Sequence, residues 1–492
     1  MRSESAPAKG RFSRWTLSEL DRWNRMGLTP MHRSQDTESL CAFFGALDVL
    51  TWFGPEVQPL VHGSAACGLS HGAMRPCGNN SSFHRPRVLS TNLGPEHVVY
   101  GGRDRLIESL KDVDRRHTAK VIVVLTNCCS YMIGEDVQGT IATVAPELGA
   151  DVLALEVAGC DGTGFRKGAD KALDLLFSYV AAHQPPAPRP AGAERPSINL
   201  FTKRISGRPA EECDVNEIRR LLDKIGVDVN TVVRAGATFE ELVALPRAQA
   251  NATLCFTFGK GPLESLHRLH AQPFVPMIFP LGLGSTLAWI DDVARLVGVP
   301  NTFPQDPEVG AARTVIDRLR AKVAGREAYI WQPGVKGLST ALFAAELGMK
   351  PVLFGMSYYL EEQLRPTVQL LIERGLDPEL VMVGKYGLLE EAAARPEAER
   401  PLIFMPKKFW LGDGCANVTF NFFSDSLMGL RGIETLAAEV DNALATVGEK
   451  DYRLFNRYIE TIYKSTDWDV PRSEAIAGID SEDVKWKRWN QQ

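Results

Sequence analysis

Short runs of aliphatic residues alternate along this chain with longer stretches whose apolar positions recur at helical spacing. Val121-Ile122-Val123-Val124-Leu125 and Val152-Leu153-Ala154-Leu155 are uninterrupted apolar runs of strand length, as in strands covered on both faces. Ser197-Ile198-Asn199-Leu200-Phe201 opens another series, followed by a helix-like stretch from Val215 to Ile225 and by Val227-Asp228-Val229. Ala328-Tyr329-Ile330-Trp331 and Pro351-Val352-Leu353-Phe354 flank a helical stretch, Ser339 to Leu347, with Gly348 placed to cap it. Strands separated by helices of this length predict βαβ units and parallel sheets.

Gln184-Pro185-Pro186-Ala187-Pro188-Arg189-Pro190 reads as a linker, and a weaker break lies near Pro300 to Pro307. The expected organisation is a polar N-terminal extension over 1–36, with one amphipathic turn around Trp15 to Trp23. Three α/β domains follow over 37–184, 197–305 and 326–420, then C-terminal helices and a tail over 421–492. The tail is polar and carries Trp468, Trp486 and Trp489.

Composition narrows the class. The 492 residues are 45% hydrophobic and 23% charged, which excludes a disordered tail, a collagen-like repeat and a small disulfide scaffold. Net charge is −5 without a long basic run, so neither nucleic acid nor an anionic membrane is an expected partner. No apolar stretch reaches the length of a membrane span. Met1 to Arg14 is polar and lacks the apolar core of a Sec-type signal, so the expected location is the cytoplasm. Nine cysteines are too few and too uneven for a disulfide framework; they read as thiols, metal ligands or redox groups.

Several common site motifs are missing. No P-loop is present, so no ATP site is expected on this chain. Gly282-Leu283-Gly284 lacks the third glycine of a dinucleotide fingerprint and reads as a turn. Gln332-Pro333-Gly334-Val335-Lys336-Gly337 lies between a strand and a helix, where amides could cradle an anion or merely form a tight turn. There is no His-Glu-x-x-His and no Cys-x-x-Cys.

Three cysteines of the first domain carry the candidate chemistry. Cys41 opens the apolar helical run Cys41-Ala42-Phe43-Phe44-Gly45-Ala46-Leu47, with Asp36 or Thr37 as the expected N-cap. Cys67 lies in the small-residue loop Val61-His62-Gly63-Ser64-Ala65-Ala66-Cys67-Gly68, and Cys128 follows the strand Val121 to Leu125. Separations of 26 and 61 residues are too wide for a local metal knuckle. Strand ends and helix starts nevertheless meet at the carboxyl edge of a parallel sheet. Three thiolates meeting there suit iron–sulfur ligation; three buried cysteines acting as small hydrophobes are the plainer alternative. Three ligands are one short of a self-contained cubane, so a cluster here needs a donor from a second chain.

These stretches, taken in order, resemble the component 1 proteins of nitrogenase and their relatives. The matching features are Cys41-x3-Gly45-Ala46, Val61-His62-Gly63-Ser64-x2-Cys67, Val99-Tyr100-Gly101-Gly102 and Cys128-x4-Ile133-Gly134-Glu135-Asp136. The likeness is marked over about 100 residues and weaker to about residue 447. It implies three Rossmann-like, doubly wound parallel-sheet domains and an α2β2 heterotetramer of two related subunits. It also implies an [8Fe–7S] P-cluster-like iron–sulfur cluster at the subunit interface, fed by a separate ATP-hydrolysing iron protein. Cys41, Cys67 and Cys128 match the cluster ligands, and Thr163 falls where β-type subunits place a serine beside the cluster. Cys77 and Cys129 are additions to that pattern.

The resemblance also bears on which subunit this is. No histidine follows His270, so the third domain cannot supply the terminal His of a catalytic metallocluster, and Cys255 reads as a buried strand cysteine. Phe279-Pro280-Leu281-Gly282-Leu283-Gly284-Ser285-Thr286 with Leu296-x-Gly298-x-Pro300 resembles the middle domain of a β-type subunit. The implied activity is electron relay to a metallocluster in the α-type partner. Reductases that cleave carbon–sulfur bonds of methylthio-alkanes are the relatives it resembles, and dark-operative tetrapyrrole reductases fit less well. Alternatives are a cofactor-assembly scaffold, a dinitrogen-reducing β-subunit and a non-catalytic α/β binding protein. His62 reads as a structural loop histidine; His267 and His270, and Lys407-Lys408 before Phe409-Trp410, read as solvated.

Overall fold

A computed structural model describes residues 15–25, 41–68, 88–161, 163–183, 195–202, 209–254, 260–275, 279–332, 334–356, 365–382, 391–392, 394–405, 415–420 and 425–445. Its strands are β1 (Trp15–Thr16), β2 (Val57–His62), β3 (Leu89–Ser90), β4 (Val121–Thr126), β5 (Asp151–Glu156), β6 (Ser197–Phe201) and β7 (Asp228–Val233). They continue as β8 (Ala250–Thr253), β9 (Glu327–Ile330), β10 (Lys350–Met356), β11 (Glu379–Met382), β12 (Leu402–Met405) and β13 (Ala416–Thr419). These form three sheets, ordered β3-β2-β4-β5, β7-β6-β8 and β1-β11-β10-β9-β12-β13. Every pairing is parallel except that of β1 with β11.

The runs read as strands lie where their side chains demand. β2 and β4 are buried at every position because helices cover both faces of their sheet. β5 differs: it sits on the sheet edge, and only Leu155 within it is buried. In each sheet the strand order reverses beside its first parallel strand. The first sheet reverses between β2 and β4, the second between β6 and β8, and the third between β9 and β12. Doubly wound folds bind ligands in the crevices at the carboxyl ends of such strands.

Part of the expected N-terminal extension belongs to the fold. β1 adds antiparallel to the β11 edge, and the helix Leu17–Arg25 follows with Leu17 buried. Ser18 anchors it, its N–H donating to Asp377 Oδ1 at 2.8 Å and its hydroxyl to Oδ2 at 2.6 Å. Nor does the chain leave the core at Pro300 to Pro307. Phe303 is buried, and one apolar cluster joins Leu200 and Ile218 beside the second sheet to Ile330 and Phe404 in the third. A second cluster joins the first sheet to the flank of the second, where Phe177 and Phe201 meet edge to face at 6.2 Å.

One helix crossing fixes the candidate site. Helices Ala42–Leu50 and Phe165–His183 approach so closely that backbone touches backbone. A Cβ on Gly45 would lie 1.8 Å from the Phe165 carbonyl oxygen, and one on Gly168 would lie 1.8 Å from that of Ala42. Gly168→Ala is therefore expected to lower stability by about 2 kcal/mol through overpacking. Gly310→Ala, on an exposed helix face with open space around it, is expected to stabilise by about 0.5 kcal/mol. Denaturant midpoints of the two variants check this; equal midpoints would contradict the close crossing.

Candidate functional site at the first-sheet switch point

The three predicted cysteines come together at the β2/β4 reversal. Cys41 is itself the N-cap of the helix Ala42–Leu50, with extended backbone (φ −76°, ψ 172°). The expected caps, Asp36 and Thr37, lie outside the described residues. Cys41 bridges to Gly164, and the Ala42 N–H donates to the Thr163 carbonyl at 2.9 Å. Cys67 lies in a helical turn shortly after β2, and Cys128 begins the helix Cys128–Met132 just after β4. The Cys67 thiol interacts electrostatically with Cys128, Cys41 and Cys129, and hydrogen-bonds to the Asn127 side chain.

Asn127 organises this edge, and the sequence analysis did not single it out. It is buried, and its Oδ1 accepts from the N–H groups of Cys129 at 2.9 Å and Ser130 at 3.4 Å, capping the helix that starts at Cys128. The Ser130 hydroxyl accepts in turn from the Asn127 N–H at 3.2 Å and donates to the His62 carbonyl at 2.7 Å, tying the two strand ends together. Glycine is required opposite: a Cβ on Gly63 would lie 2.1 Å from Asn127 Oδ1. The signal was legible as Asn-x-x-Ser at a strand end, a standard helix start.

Burial pushes the Cys67 thiol above its ordinary range, the Asn127 hydrogen bond opposes this, and the neighbouring cysteines raise it further. Crowded thiols of this kind lose their protons when a metal takes them, so binding there releases protons. Among the described residues no three His, Cys, Asp or Glu side chains are close enough to hold one metal ion. Several sulfur donors around one shared edge are the kind of donor set that iron–sulfur clusters use.

The other candidates separate. Thr163 meets the helix start through its backbone carbonyl, bound by the Ala42 N–H, and its own N–H donates to Asp161 Oδ1 at 2.7 Å. Cys160, in the same loop, has its thiol against that of Cys128. The loop Gly159–Asp161 leans on Cys41, for a Cβ on Gly159 would sit 2.7 Å from the Cys41 sulfur. Cys77 and Cys255 lie outside the described residues, as do Lys407 to Trp410. His267 is exposed, as expected, although its Nδ1 pairs with the Gln272 carbonyl at 3.1 Å and its ring meets Phe274 edge-on; His270 is half-buried.

The remaining motif stretches have local work. Gly102 follows the helix Pro95–Tyr100, and its N–H donates to Glu135 Oε1. A Cβ there would lie 2.8 Å from Leu93 and 3.1 Å from the His62 ring. The other oxygen of Glu135 is 3.9 Å from His62 Nε2, while His62 Nδ1 pairs with the Thr91 hydroxyl at 3.2 Å. Asp136 caps the next helix, Val137–Val144, accepting from Gly139 at 2.8 Å. The Gly282-Leu283-Gly284 amides are taken by an internal carboxylate: Glu346 accepts from Leu283 at 3.0 Å and Gly284 at 2.8 Å. Gly337, in the other candidate anion loop, is packed so that a Cβ would lie 1.8 Å from the Phe354 ring.

Large exposed apolar side chains among the described residues are confined to two short helices beside this edge. They are Val98, Val99 and Tyr100 on Pro95–Tyr100, and Tyr131 and Met132 on Cys128–Met132. Tyr100 is 88% and Met132 75% exposed, and the Gly102–Glu135 hydrogen bond links the segments that follow the two helices.

The sequence profile described as nitrogenase component 1 type oxidoreductase matches residues 41–444, more than half of the chain. The chain belongs to that family. Among its relatives is the nitrogenase iron-molybdenum cofactor biosynthesis protein NifE of Nostoc sp., 24% identical over 361 residues, covering 70% of this chain and 72% of that protein. A subunit of the light-independent protochlorophyllide reductase of Heliobacterium modesticaldum is 28% identical over 250 residues, covering 50% of this chain and 46% of that protein. The nitrogenase molybdenum-iron protein alpha chain of Methanothermobacter thermautotrophicus is 23% identical, covering 66% and 71%. A solved structure of nitrogenase Cp1 at pH 6.5 superposes with TM-score 0.60 at 15% identity, over 88% of this chain and 95% of that one, showing the shared α/β fold. No helix among the described residues of this nitrogenase-family chain is long and apolar enough to cross a membrane.

His62 gives this edge a pH dependence. Burial holds its pKa below the ordinary 6.5, opposed by Glu135. Above 6.5 the ring is neutral both folded and unfolded; below it the unfolded chain takes up the proton first, and stability falls. Wild type is expected to lose up to about 1.4 kcal/mol per pH unit more than His62→Gln between pH 6.5 and the lowered folded value. Parallel slopes of unfolding free energy against pH in the two proteins would contradict this.

Proposed function

We propose that this chain is the β-type subunit of a nitrogenase-like two-component reductase. In this reading Cys41, Cys67 and Cys128 hold an [8Fe–7S] P-cluster-like centre at the boundary with an α-type partner in an α2β2 assembly. The observation that carries it is the meeting of three thiols, far apart in sequence, at one topological switch point. The bound cluster supplies one-electron relay toward a metallocluster in the partner. This chain's residues do the positioning. Asn127 orients the Cys67 thiol, the crossing at Gly45 and Gly168 fixes Cys41 at a helix start, and β4 delivers Cys128. Amide donors beside sulfur and exclusion of water tune such a centre's potential.

A separate ATP-hydrolysing iron protein docks on the apolar patch. The helix Cys128–Met132 carries a candidate ligand at its start and the exposed Met132 at its end, about 6 Å along the axis. A protein seated on Tyr100 and Met132 thus comes within electron-transfer reach of the thiol edge. The lack of any histidine after His270 supports the β-type assignment. The reduced substrate in this reading is a methylthio-alkane.

A second reading, an assembly scaffold that holds a cofactor precursor, is favoured by the NifE relatives, which cover most of this chain. Turnover separates the two. With iron protein, ATP and reductant, the anaerobically purified complex should consume a methylthio compound; reduction of dinitrogen instead would move it to the dinitrogen-reducing class. A scaffold would turn over neither and would release a cluster to an acceptor protein.

Cys67→Ala is expected to strip most of the iron from the complex, and unchanged iron and activity would count against ligation. Tyr100→Lys combined with Met132→Lys is expected to leave iron content intact and to raise the KM for the iron protein at least about tenfold, roughly 1.4 kcal/mol. Steady-state titration with iron protein measures it.

A further inference from the structure

The loop between β5 and the helix Phe165–His183 brings a further cysteine to the thiol edge. β4 and β5 pair in register up to Thr126 and Glu156, so the residues just beyond each strand emerge side by side. Cys128 follows one strand end and Cys160 the other, and their side chains lie within hydrogen-bonding reach. The turn that carries Cys160 is pinned at both sides. Gly159 lies against the Cys41 side chain, where a Cβ would come within 2.3 Å of Cys41 Cβ. Asp161 accepts from Thr163, Thr163 accepts from Ala42, and Gly164 bridges to Cys41. Cys160 is thus held between two of the three candidate ligands, on the open side of the edge, and is itself exposed.

Neighbouring side chains give a reason to choose Cys160 over Thr163 or Cys129. Thr163 meets the helix start through its backbone carbonyl and offers a hydroxyl, a poorer match to iron than a thiolate. Cys129 acts electrostatically on Cys67 but directly follows a ligand on the same short helix, about 100° around its axis from Cys128.

We propose that Cys160 is a fourth sulfur ligand of the same iron–sulfur centre, so that this chain supplies four thiolates, Cys41, Cys67, Cys128 and Cys160, rather than three. The proposal rests on the reading that the first three hold such a centre. This chain would then give the shared centre four of its sulfur donors, each thiol giving up its proton as it binds.

The test uses the full chain in its complex, purified without oxygen, as wild type, Cys160→Ala, Cys160→Ser and Cys129→Ser. Iron and acid-labile sulfide per chain and the EPR spectrum of the reduced protein are the readouts, with circular dichroism to confirm folding. Cys160→Ala is expected to lose iron and sulfide together while remaining folded. Cys160→Ser should keep iron with shifted g-values, because oxygen replaces sulfur at one iron, and Cys129→Ser should match wild type. Wild-type iron content and an unchanged spectrum in Cys160→Ala would overturn the proposal. So would a Cys128–Cys160 disulfide found by mass spectrometry in the iron-loaded wild type, or a loss of iron in Cys129→Ser with none in Cys160→Ala. An iron-free wild type would instead overturn the cluster reading beneath it.

Discussion

The amide of Asn127, wedged against Gly63, is the contact on which the rest of the thiol edge depends. It joins the ends of the two strands between which the sheet order reverses, starts the helix that carries Cys128, and reaches the Cys67 thiol. A buried amide in this position has few ways to satisfy its hydrogen bonds, so it fixes geometry rather than merely filling space. The sulfur atoms gather because one polar side chain and one missing Cβ leave the strand ends no other arrangement. The Gly45–Gly168 crossing acts in the same way from the other side, setting Cys41 against the loop after β5.

Much of the fold was legible because it rests on local pattern. Apolar runs such as Val121 to Leu125 have no stable place except a strand covered on both faces, and Ser197–Phe201 is found with the boundaries its side chains predicted. Legibility failed where tertiary partners decide. Val57–His62 includes Gln58, Pro59 and a terminal histidine, and only pairing with β3 and β4 makes it a central strand. Trp15–Thr16 reads as polar extension because the β11 edge that captures it is more than 360 residues away. The expectation of full burial from Val152 to Leu155 fails for the same reason. An apolar run does not reveal that it will lie on an edge, as the exposure of Asp151 and Glu156 at the ends of β5 shows.

Val152, Leu153 and Ala154 are half-exposed, as positions on an edge strand can be. The site was legible only as a set. Each cysteine alone reads as a small hydrophobe, and what singles out Cys41, Cys67 and Cys128 is their order and their neighbours. Asn127 was legible as a helix start but not as a partner of Cys67, and the role proposed for Cys160 depends on register. Pairing of Thr126 with Glu156 places the two loops side by side, and no spacing within the sequence reveals that pairing.

Carboxylates inside the core bear on why, under the proposed function, phosphate chemistry falls to another protein. Helix N-termini are ready-made anion sites, yet this chain fills two of its long ones with its own acidic side chains. Glu346 occupies the start of Gly282–Val297. Asp214 and Glu217 occupy that of Gly429–Ala445, accepting from Leu427, Met428, Leu430 and Arg431. Burial raises the pKa of Glu346, while the two amides from which it accepts favour its charged form. These carboxylates take the free amides at those helix starts, where an anion would otherwise bind. Among the described residues, the large exposed apolar side chains lie beside the thiols. In the proposed reading, a chain arranged in this way stores and passes electrons. It takes the energy of ATP hydrolysis from a protein that docks where Tyr100 and Met132 face outward.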